Sequence, residues 1–158
     1  MEAKLPELLK QVFEPELLAQ INSDQPMRDM LQRGLVFELP VPKEALKAVC
    51  KTIPKLDVDK LDEYINKAVK LGVLGVSHDG LLRVHRYLSS NKSDKISLNK
   101  EAAKVLNRLW YEPVEPKTKI SEERLLEIHR LAQLGNETEI IVEMTETLAT
   151  RWKNRSRI

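Results

Sequence analysis

The side chains best suited to chemistry in this sequence are three histidines, His78, His85 and His129, and a single cysteine, Cys50. Imidazole and thiolate groups bind metal ions when several of them occur at short, regular spacings. Here the three histidines fall in different segments, and none of them stands at ligand spacing from Cys50 or from another histidine. The sequence therefore predicts no metal site.

Phosphate-binding loops are also missing from the sequence. Neither G-x-x-x-x-G-K-[ST] nor G-x-G-x-x-G occurs, so no glycine-rich loop is available to cradle a nucleotide phosphate. The carboxylates are expected mainly on solvated helix faces, and nothing in the sequence points to a pair placed for acid–base catalysis. We expect that the chain is not an enzyme, and that it has no catalytic residue and no cofactor of its own.

Two groups of basic residues could contact an acidic partner. Lys43, Lys47 and Lys51 are spaced by four residues, with Lys55 next in the series, and so share one face of a predicted helix. Such a ridge is usually a solvated face, but it could also grip an acidic protein surface, and its first three lysines are the candidate partner-binding residues. The second group, in RWKNRSRI, complements the dipole of a helix that begins with acidic residues.

Composition limits the class of protein. The 158 residues are 42% hydrophobic and 32% charged, include five glycines, and carry a net charge of +2. Few glycines among many leucine, lysine and glutamate residues favour a mainly helical fold, and the near balance of charge does not favour a nucleic-acid partner. One cysteine is typical of a reducing compartment, and no apolar run approaches the ~20 residues of a membrane span. We therefore expect a cytoplasmic protein with no membrane contact.

Apolar periodicity and helix breakers divide the chain into three predicted segments. Residues 1–34 form N-terminal helices that lead into the second segment. Residues 35–90 hold a short strand at 35–39, two helices and a β-hairpin. Residues 96–158 form the C-terminal helices, of which the last two make an antiparallel helical hairpin at 121–154.

Capping residues mark the ends of several predicted helices. Ser23 and Asp24 can cap the last helix of the first segment, and Ser121 can cap the first helix of the helical hairpin. Gly72 is expected to end the helix before the β-hairpin, and Gly135 is expected to end the first helix of the helical hairpin. Asn136 together with Glu139 resembles a capping box and is expected to start the final helix.

The β-hairpin in KLGVLGVSHDGLLRVHRYL has two possible registers. A two-residue loop would mix apolar and charged side chains on one face, whereas a three-residue loop at 78–80 gives one apolar face. In that second register the facing pairs are Val76 with Leu82 and Leu74 with Val84. The longer loop also puts Gly80 where a positive φ is needed. We predict this register, which places His85 on the opposite face.

The order strand, helix, helix, hairpin in residues 35–90 is that of a winged helix. Because many winged helices read DNA with the second of these helices, a DNA-binding transcriptional regulator is the alternative function. Here that helix, residues 57–72, has four acidic residues, three lysines and no arginine, and the loop SHDG has no lysine or arginine. A surface that contacts phosphates should be basic, so the charges favour a winged helix used to pack against protein.

Three stretches carry a family resemblance: LQRGLVFELPVPKEALKAVC, YINKAVKLGVLGVSHDGLLRVHRYL and EERLLEIHRLAQLGNETEIIVEMTETLATRWKNRSR. They resemble the region after the nucleotide-binding domain in bacterial STAND-class signalling ATPases, which are related to plant NB-ARC resistance proteins and to the apoptosome ATPase. Cyanobacterial members look most similar. The resemblance implies a winged helix and connecting helices between a P-loop ATPase domain and tetratricopeptide-type repeats.

A role and a set of partners are implied by the same resemblance. The chain would be a non-catalytic regulatory module that relays between the ATPase domain and a repeat sensor domain, both in the same larger polypeptide. ATP or ADP would be bound by the ATPase domain, and the helical hairpin would begin an α-solenoid. The P-loop would lie before residue 1 and the repeats after residue 158.

His85 and Arg86 are the candidate nucleotide-sensing residues, again by resemblance. In NB-ARC proteins a Met-His-Asp motif of the winged helix contacts the β-phosphate of ADP and holds the off state. The run Val84-His85-Arg86 stands in the corresponding place. Arg86 replaces the aspartate of the motif, although an arginine can itself bind phosphate. The alternative is that His85 is an ordinary surface residue of a strand.

Overall fold

A computed structural model of the chain describes residues 19–20, 23–51, 53, 56–85 and 96–156. Over these residues the fold is mainly helical, with six α-helices and one two-stranded antiparallel sheet. The expected fold class, mainly α with a small β-hairpin, is confirmed. The predicted helices before residue 19 and the polar linker at 89–95 lie outside the described residues. Within the described part, no helix has both the length and the apolar character needed to cross a bilayer.

The N-terminal half of the fold, the described part of residues 25–85, contains three helices and the hairpin. Its elements are α1 (Gln25–Gly34), α2 (Lys43–Cys50), a 3₁₀ turn (Val58–Lys60), α3 (Leu61–Lys70), β1 (Leu74–Val76) and β2 (Leu82–Val84). Helix α1 packs on α2, α3 and β2, and α3 packs on β1. Each helix buries one apolar stripe, as amphipathic periodicity predicts; in α1 the stripe is Met27, Met30 and Leu31.

The C-terminal half, residues 96–156, consists of helices and short helical turns. Its elements are α4 (Ile96–Leu106), a π-helical turn (Asn107–Tyr111), a 3₁₀ turn (Lys117–Lys119), α5 (Glu122–Leu134) and α6 (Thr138–Ser156). Helix α5 packs on both α4 and α6, and α4 also packs on α2 of the N-terminal half. The buried apolar side chains of the two halves therefore form one continuous core.

Three predicted caps are confirmed. The Asp24 carboxylate accepts the backbone N–H of Met27 at 3.3 Å, and the Ser121 hydroxyl accepts the N–H of Arg124 at 3.3 Å. After α3 the chain turns at Gly72, whose φ is +78°. A left-handed residue after a helix lets the next amides reach back to the last carbonyls, and the N–H of Val73 bonds the carbonyl of Ala68 at 3.2 Å.

The hairpin adopts the predicted register. The facing pairs are Leu74 with Val84, Gly75 with Arg83 and Val76 with Leu82. Gly80 has a φ of +80°, so the three-residue loop has its glycine at the position that needs one. On the apolar face, three of the four expected side chains are buried, but Val76 is 51% exposed. Val76 lies at the loop end of β1, and it extends beyond the helices that cover the rest of the face.

The strand predicted at residues 35–39 is wrong. The chain turns there instead, with the N–H of Val36 bonded to the carbonyl of Arg33 and the N–H of Phe37 bonded to the carbonyl of Gly34. Extended pairing is confined to one bridge, in which Val41 exchanges hydrogen bonds with Leu82 of β2 at 2.9 and 2.7 Å. Short apolar runs are ambiguous between strand and turn, and here the C-terminal carbonyls of α1 take the amides.

The turn between α5 and α6 also differs from its prediction. Asn136 does not cap the start of α6, because it has a φ of +57° and closes the end of α5. Its N–H bonds Gln133, and the N–H of Glu137 bonds Ala132 at 2.9 Å, a pattern that satisfies the last carbonyls of a helix. Gly135, at φ −94°, precedes the left-handed residue.

Gly135 is the C-cap residue of α5, as predicted, and it also allows close helix packing. A Cβ at this position would lie 2.6 Å from the Cα of Lys100 in α4. No side chain fits there, so α4 and α5 approach each other backbone to backbone. A glycine is therefore required by tertiary packing and not by its freedom of φ.

Candidate functional site

His85 lies directly after β2, on the face opposite the buried side chains. Its backbone N–H bonds the carbonyl of Val73 at 3.0 Å, which extends the hairpin ladder by one step. Its side chain is exposed, like that of Arg83 on the same face. This is the position that the predicted register requires. Arg86, the second candidate phosphate-binding residue, lies outside the described residues.

The hairpin loop is held by hydrogen bonds of its own. The Ser77 hydroxyl donates to the Asp79 carboxylate at 2.6 Å and accepts the N–H of Leu81 at 3.0 Å. The bond from Ser77 lowers the pKa of Asp79, and the charge of Arg124 in α5 adds a smaller lowering effect.

Two of the three candidate partner-binding lysines have an acidic partner within the chain. Lys43 and Lys47 reach across from α2 to Asp62 in α3, at 2.7 and 2.9 Å. Their hydrogen bonds lower the pKa of the Asp62 carboxyl. Lys51 is exposed, and Lys55 lies outside the described residues. Asp62 thus neutralises part of the lysine ridge, which leaves Lys51 as the candidate with the greatest access to a partner.

We expect the Asp62 carboxyl to titrate below its ordinary value of 3.8, because two ammonium groups stabilise its charged form. Since this pKa is lowered on folding, the contribution to stability is complete above pH ~4 and is lost as the pH falls through the lowered value. Substituting both Lys43 and Lys47 with alanine should raise this pKa towards 3.8. A carboxyl NMR titration measures the shift, with Lys51→Ala as the control. An unchanged Asp62 pKa in the double variant would contradict these ion pairs.

Sequence reasoning missed one buried and hydrogen-bonded carboxylate in the described structure. Glu127 in α5 is only 4% exposed. One carboxylate oxygen, Oε2, accepts the backbone N–H groups of Glu38 at 2.6 Å and Leu39 at 3.0 Å. The other, Oε1, accepts from Arg130 at 2.7 Å. Glu127 therefore lies inside the fold and not on a solvated helix face, which corrects the expectation for the carboxylates at this residue.

Arg130 completes this contact. Its guanidinium donates to the carbonyl of Val36 at 2.8 Å and lies 3.5 Å from the carboxylate of Glu38. Together Glu127 and Arg130 bind the backbone of residues 36–39, and we call this contact the polar joint. A buried carboxylate is tolerated when its charge is paired and its oxygens accept hydrogen bonds, and both conditions hold here. The joint links α5 to the connection between α1 and α2.

A weak signal for the polar joint is present in the sequence. Glu127 precedes the buried Leu131 by four residues and so shares its side of α5, and Arg130 follows Glu127 at the spacing of a helical ion pair. An acidic residue on an apolar stripe needs a partner. Its actual partners lie 88 and 89 residues earlier in the chain, and periodicity cannot identify contacts at that distance.

The basic residues near the C-terminus also have specific partners. The guanidinium of Arg151 donates to three carbonyls of the turn before α5, at 3.3, 3.0 and 2.6 Å from Lys117, Thr118 and Ile120. Trp152 and Arg155 both donate to the carboxylate of Glu122, and these bonds lower its pKa. Besides complementing the helix dipole, as predicted, these three side chains stabilise the packing of α6 against the start of α5 and the turn before it.

A shallow groove of about 220 Å³ lies between the 3₁₀ turn and α6. Its two cationic side chains are Lys117 and Arg151, and both donate to backbone carbonyls, with Lys117 reaching Tyr111 at 2.7 Å. Their donors are largely used within the protein, so the groove offers little to an anionic ligand. Among the residues that the structure describes, no three metal-binding side chains of the His, Cys, Asp or Glu type converge.

Comparison with known proteins does not assign a family: no family model, no curated protein and no solved structure matches this chain.

Proposed function

We propose that this chain is a non-catalytic regulatory module that relays between an ATPase domain and a repeat sensor domain in a STAND-type signalling protein. The polar joint is the observation that carries this proposal. A relay must pass a change of position from one end to the other, so its ends have to be linked by directional contacts. Glu127 and Arg130 provide such a link, because they bind the backbone of residues 36–39 at fixed distances.

A winged-helix assignment of the N-terminal half is part of the proposal. The element order is α1, the Val41 bridge, α2, α3 and the hairpin, and Val41 pairs with β2 on the side away from β1. The bridge thus makes β2 the central strand of a minimal three-stranded arrangement, with α1 packed on β2 and α3 packed on β1. This arrangement supports the winged-helix reading that the resemblance implies.

We propose that the helical hairpin of α5 and α6 stacks against a further helix pair, because some of its apolar side chains are exposed. Leu126, Leu134 and Val142 are 43%, 50% and 49% exposed. Helix pairs that begin a solenoid leave one apolar face for the next pair to cover. The repeats that the resemblance implies would supply that cover.

The charges of α3 give little support to the alternative function, which is sequence-specific DNA binding. Lys67, one of its three lysines, is paired with Asp24 of the N-terminal cap at 2.6 Å. Asp62 and Glu63 lie in the first turn of the same helix, and the nearby loop residue Asp79 is exposed. Phosphate groups of a duplex would meet carboxylates at each of these points, which opposes binding.

Duplex DNA should therefore not be bound with sequence preference. Fluorescence anisotropy with labelled duplexes, at low and at physiological salt, tests this expectation on the whole chain. Weak binding that vanishes as salt is raised would reflect the net charge alone. Submicromolar binding that discriminates between sequences would overturn the relay proposal in favour of a transcriptional regulator.

His85 can act as a nucleotide sensor only together with an ATPase domain, because one imidazole cannot hold a diphosphate. In a protein that includes that domain, His85→Ala should remove a hydrogen bond to a charged phosphate, worth about 1.5–3 kcal/mol. ADP release should then become about ten- to a hundredfold faster. The melting temperature should hardly change, since the side chain is exposed.

Stopped-flow release of a fluorescent ADP analogue measures this effect. Arg83→Ala is the matched control, because Arg83 is exposed on the same face of the hairpin. ADP release that is unchanged in His85→Ala would make His85 an ordinary strand residue.

A further inference from the structure

Among the contacts that the described residues make between the N-terminal half and the C-terminal half, two differ in their chemistry. In the first, α2 packs on α4, and the buried residues of the two helices are apolar except for Asn99 of α4, with the small Ala45, Ala102 and Ala103 among them. The second is the polar joint, in which Glu127 and Arg130 of α5 bind the backbone of residues 36–39. The first contact is close to non-directional, and the second depends on hydrogen-bond geometry.

The apolar contact and the polar joint respond differently to a small rotation of one half relative to the other. Apolar helices can shift past each other by small amounts while they stay in contact, as in shear motions. The polar joint cannot follow, since a carboxylate oxygen at 2.6 and 3.0 Å from two adjacent N–H groups loses both bonds within about one ångström of movement. The joint is therefore either made or broken.

The joint lies next to solvent. Arg130 is 29% exposed and the neighbouring side chain of Glu38 is 53% exposed. If the joint opens, water can replace the backbone partners, and Glu127 keeps its ion pair with Arg130 of the same helix. We propose that the α2–α4 contact is a hinge and the polar joint a latch, so that the two halves open and close as folded bodies. This inference concerns motion within the chain and does not depend on the proposed ATPase partner.

Native-state hydrogen exchange at increasing urea concentrations tests the latch in the wild-type chain. Opening exposes little surface, so exchange of the Glu38 and Leu39 amides should be nearly independent of urea below the unfolding transition. The amides of Ile65 in α3 and Met144 in α6 should instead show the steep urea dependence of global unfolding. If the Glu38 and Leu39 amides share that steep dependence, the joint opens only with the whole fold, and the latch is refuted.

A charge-removing variant tests what holds the latch. In Glu127→Gln, exchange at Glu38 and Leu39 should become about ten- to a hundredfold faster, the effect of losing bonds to a charged acceptor. Glu123→Gln removes a charge from an exposed position of the same helix and should leave these two amides unchanged. Equal exchange in Glu127→Gln and in the wild type would overturn the proposal.

A distance measurement tests the hinge. Spin labels on cysteines introduced at the exposed positions Arg83 and Ala149 report the separation of β2 and α6. Cys50 should stay unlabelled, because it is buried and burial raises its pKa to about 12. Glu127→Gln should add a second population of distances, and a single unchanged distance would refute the hinge. If that variant does not fold, Arg130→Gln takes its place in both measurements. If neither variant folds, the joint is required for folding, and the latch is refuted.

Discussion

Replacing Glu127 with alanine should lower the free energy of unfolding by about 3 kcal/mol. Removing one member of a buried ion pair costs roughly 3–5 kcal/mol, because the remaining charge loses its partner. The lower end of that range applies, since Arg130 is 29% exposed and can be partly solvated. Two backbone N–H groups, those of Glu38 and Leu39, also lose their acceptor. Urea denaturation followed by circular dichroism measures the change.

The matched control for this experiment is Glu123→Ala. Glu123 lies in the same helix and is exposed, so its substitution should change stability by no more than about 0.5 kcal/mol. If Glu127→Ala is as stable as the control, water has replaced the carboxylate at no net cost. The polar joint would then not hold the two halves together.

Gly135→Ala should be destabilising by about 3 kcal/mol, the upper end of the usual range for overpacking. The added methyl group would meet the backbone of α4 at Lys100, which cannot rotate away as a side chain can. Helices α4 and α5 would have to move apart, and the core between them would loosen. Thermal and urea denaturation measure the loss.

Gly75→Ala is the control for the glycine experiment. A Cβ at Gly75 would lie 3.6 Å from the nearest atom, the carbonyl oxygen of Arg83, which is an ordinary contact distance. This variant should therefore keep nearly all of its stability. If both alanine variants are equally stable, the close approach of α4 and α5 is not required by the fold.

Local features of the fold could be predicted from the sequence. Asp24 and Ser121 cap their helices because short polar side chains next to an apolar stripe have few better partners than the first free amides. The hairpin register follows from alternation, since a slip of one residue would turn its apolar side chains towards solvent. Gly72 and Gly80 occupy positions with positive φ, where glycine is favoured.

Features that depend on distant residues could not be predicted in this way. Residues 35–39 have strand-like composition. Their backbone N–H groups are bonded to carbonyls of α1 and to Glu127, so they are not available to pair with a strand. Gly135 ends α5 as predicted, but the left-handed position belongs to Asn136, and the close approach of α4 to Gly135 was not predicted. In each case the deciding partner is far away in the chain, where local propensity is overridden by tertiary contacts.

The candidate site residues show the same division. The predicted face of His85 follows from the register, which is a local property. The pairing of Lys43 and Lys47 with Asp62 needs the packing of α2 against α3, which the spacing of the lysines does not reveal. Glu127 carries only the weak signal of an acidic residue on an apolar stripe, so its distant partners are identified by the three-dimensional contacts alone.

The relay proposal is tested most directly by the native gene product, analysed by intact mass and by peptide mapping after purification from its source. If the relay proposal is right, we expect one polypeptide that contains this chain together with a P-loop of the G-x-x-x-x-G-K-[ST] type before it and helical repeats after it. A native product with the 18.2 kDa mass of this chain alone would contradict a relay within one polypeptide.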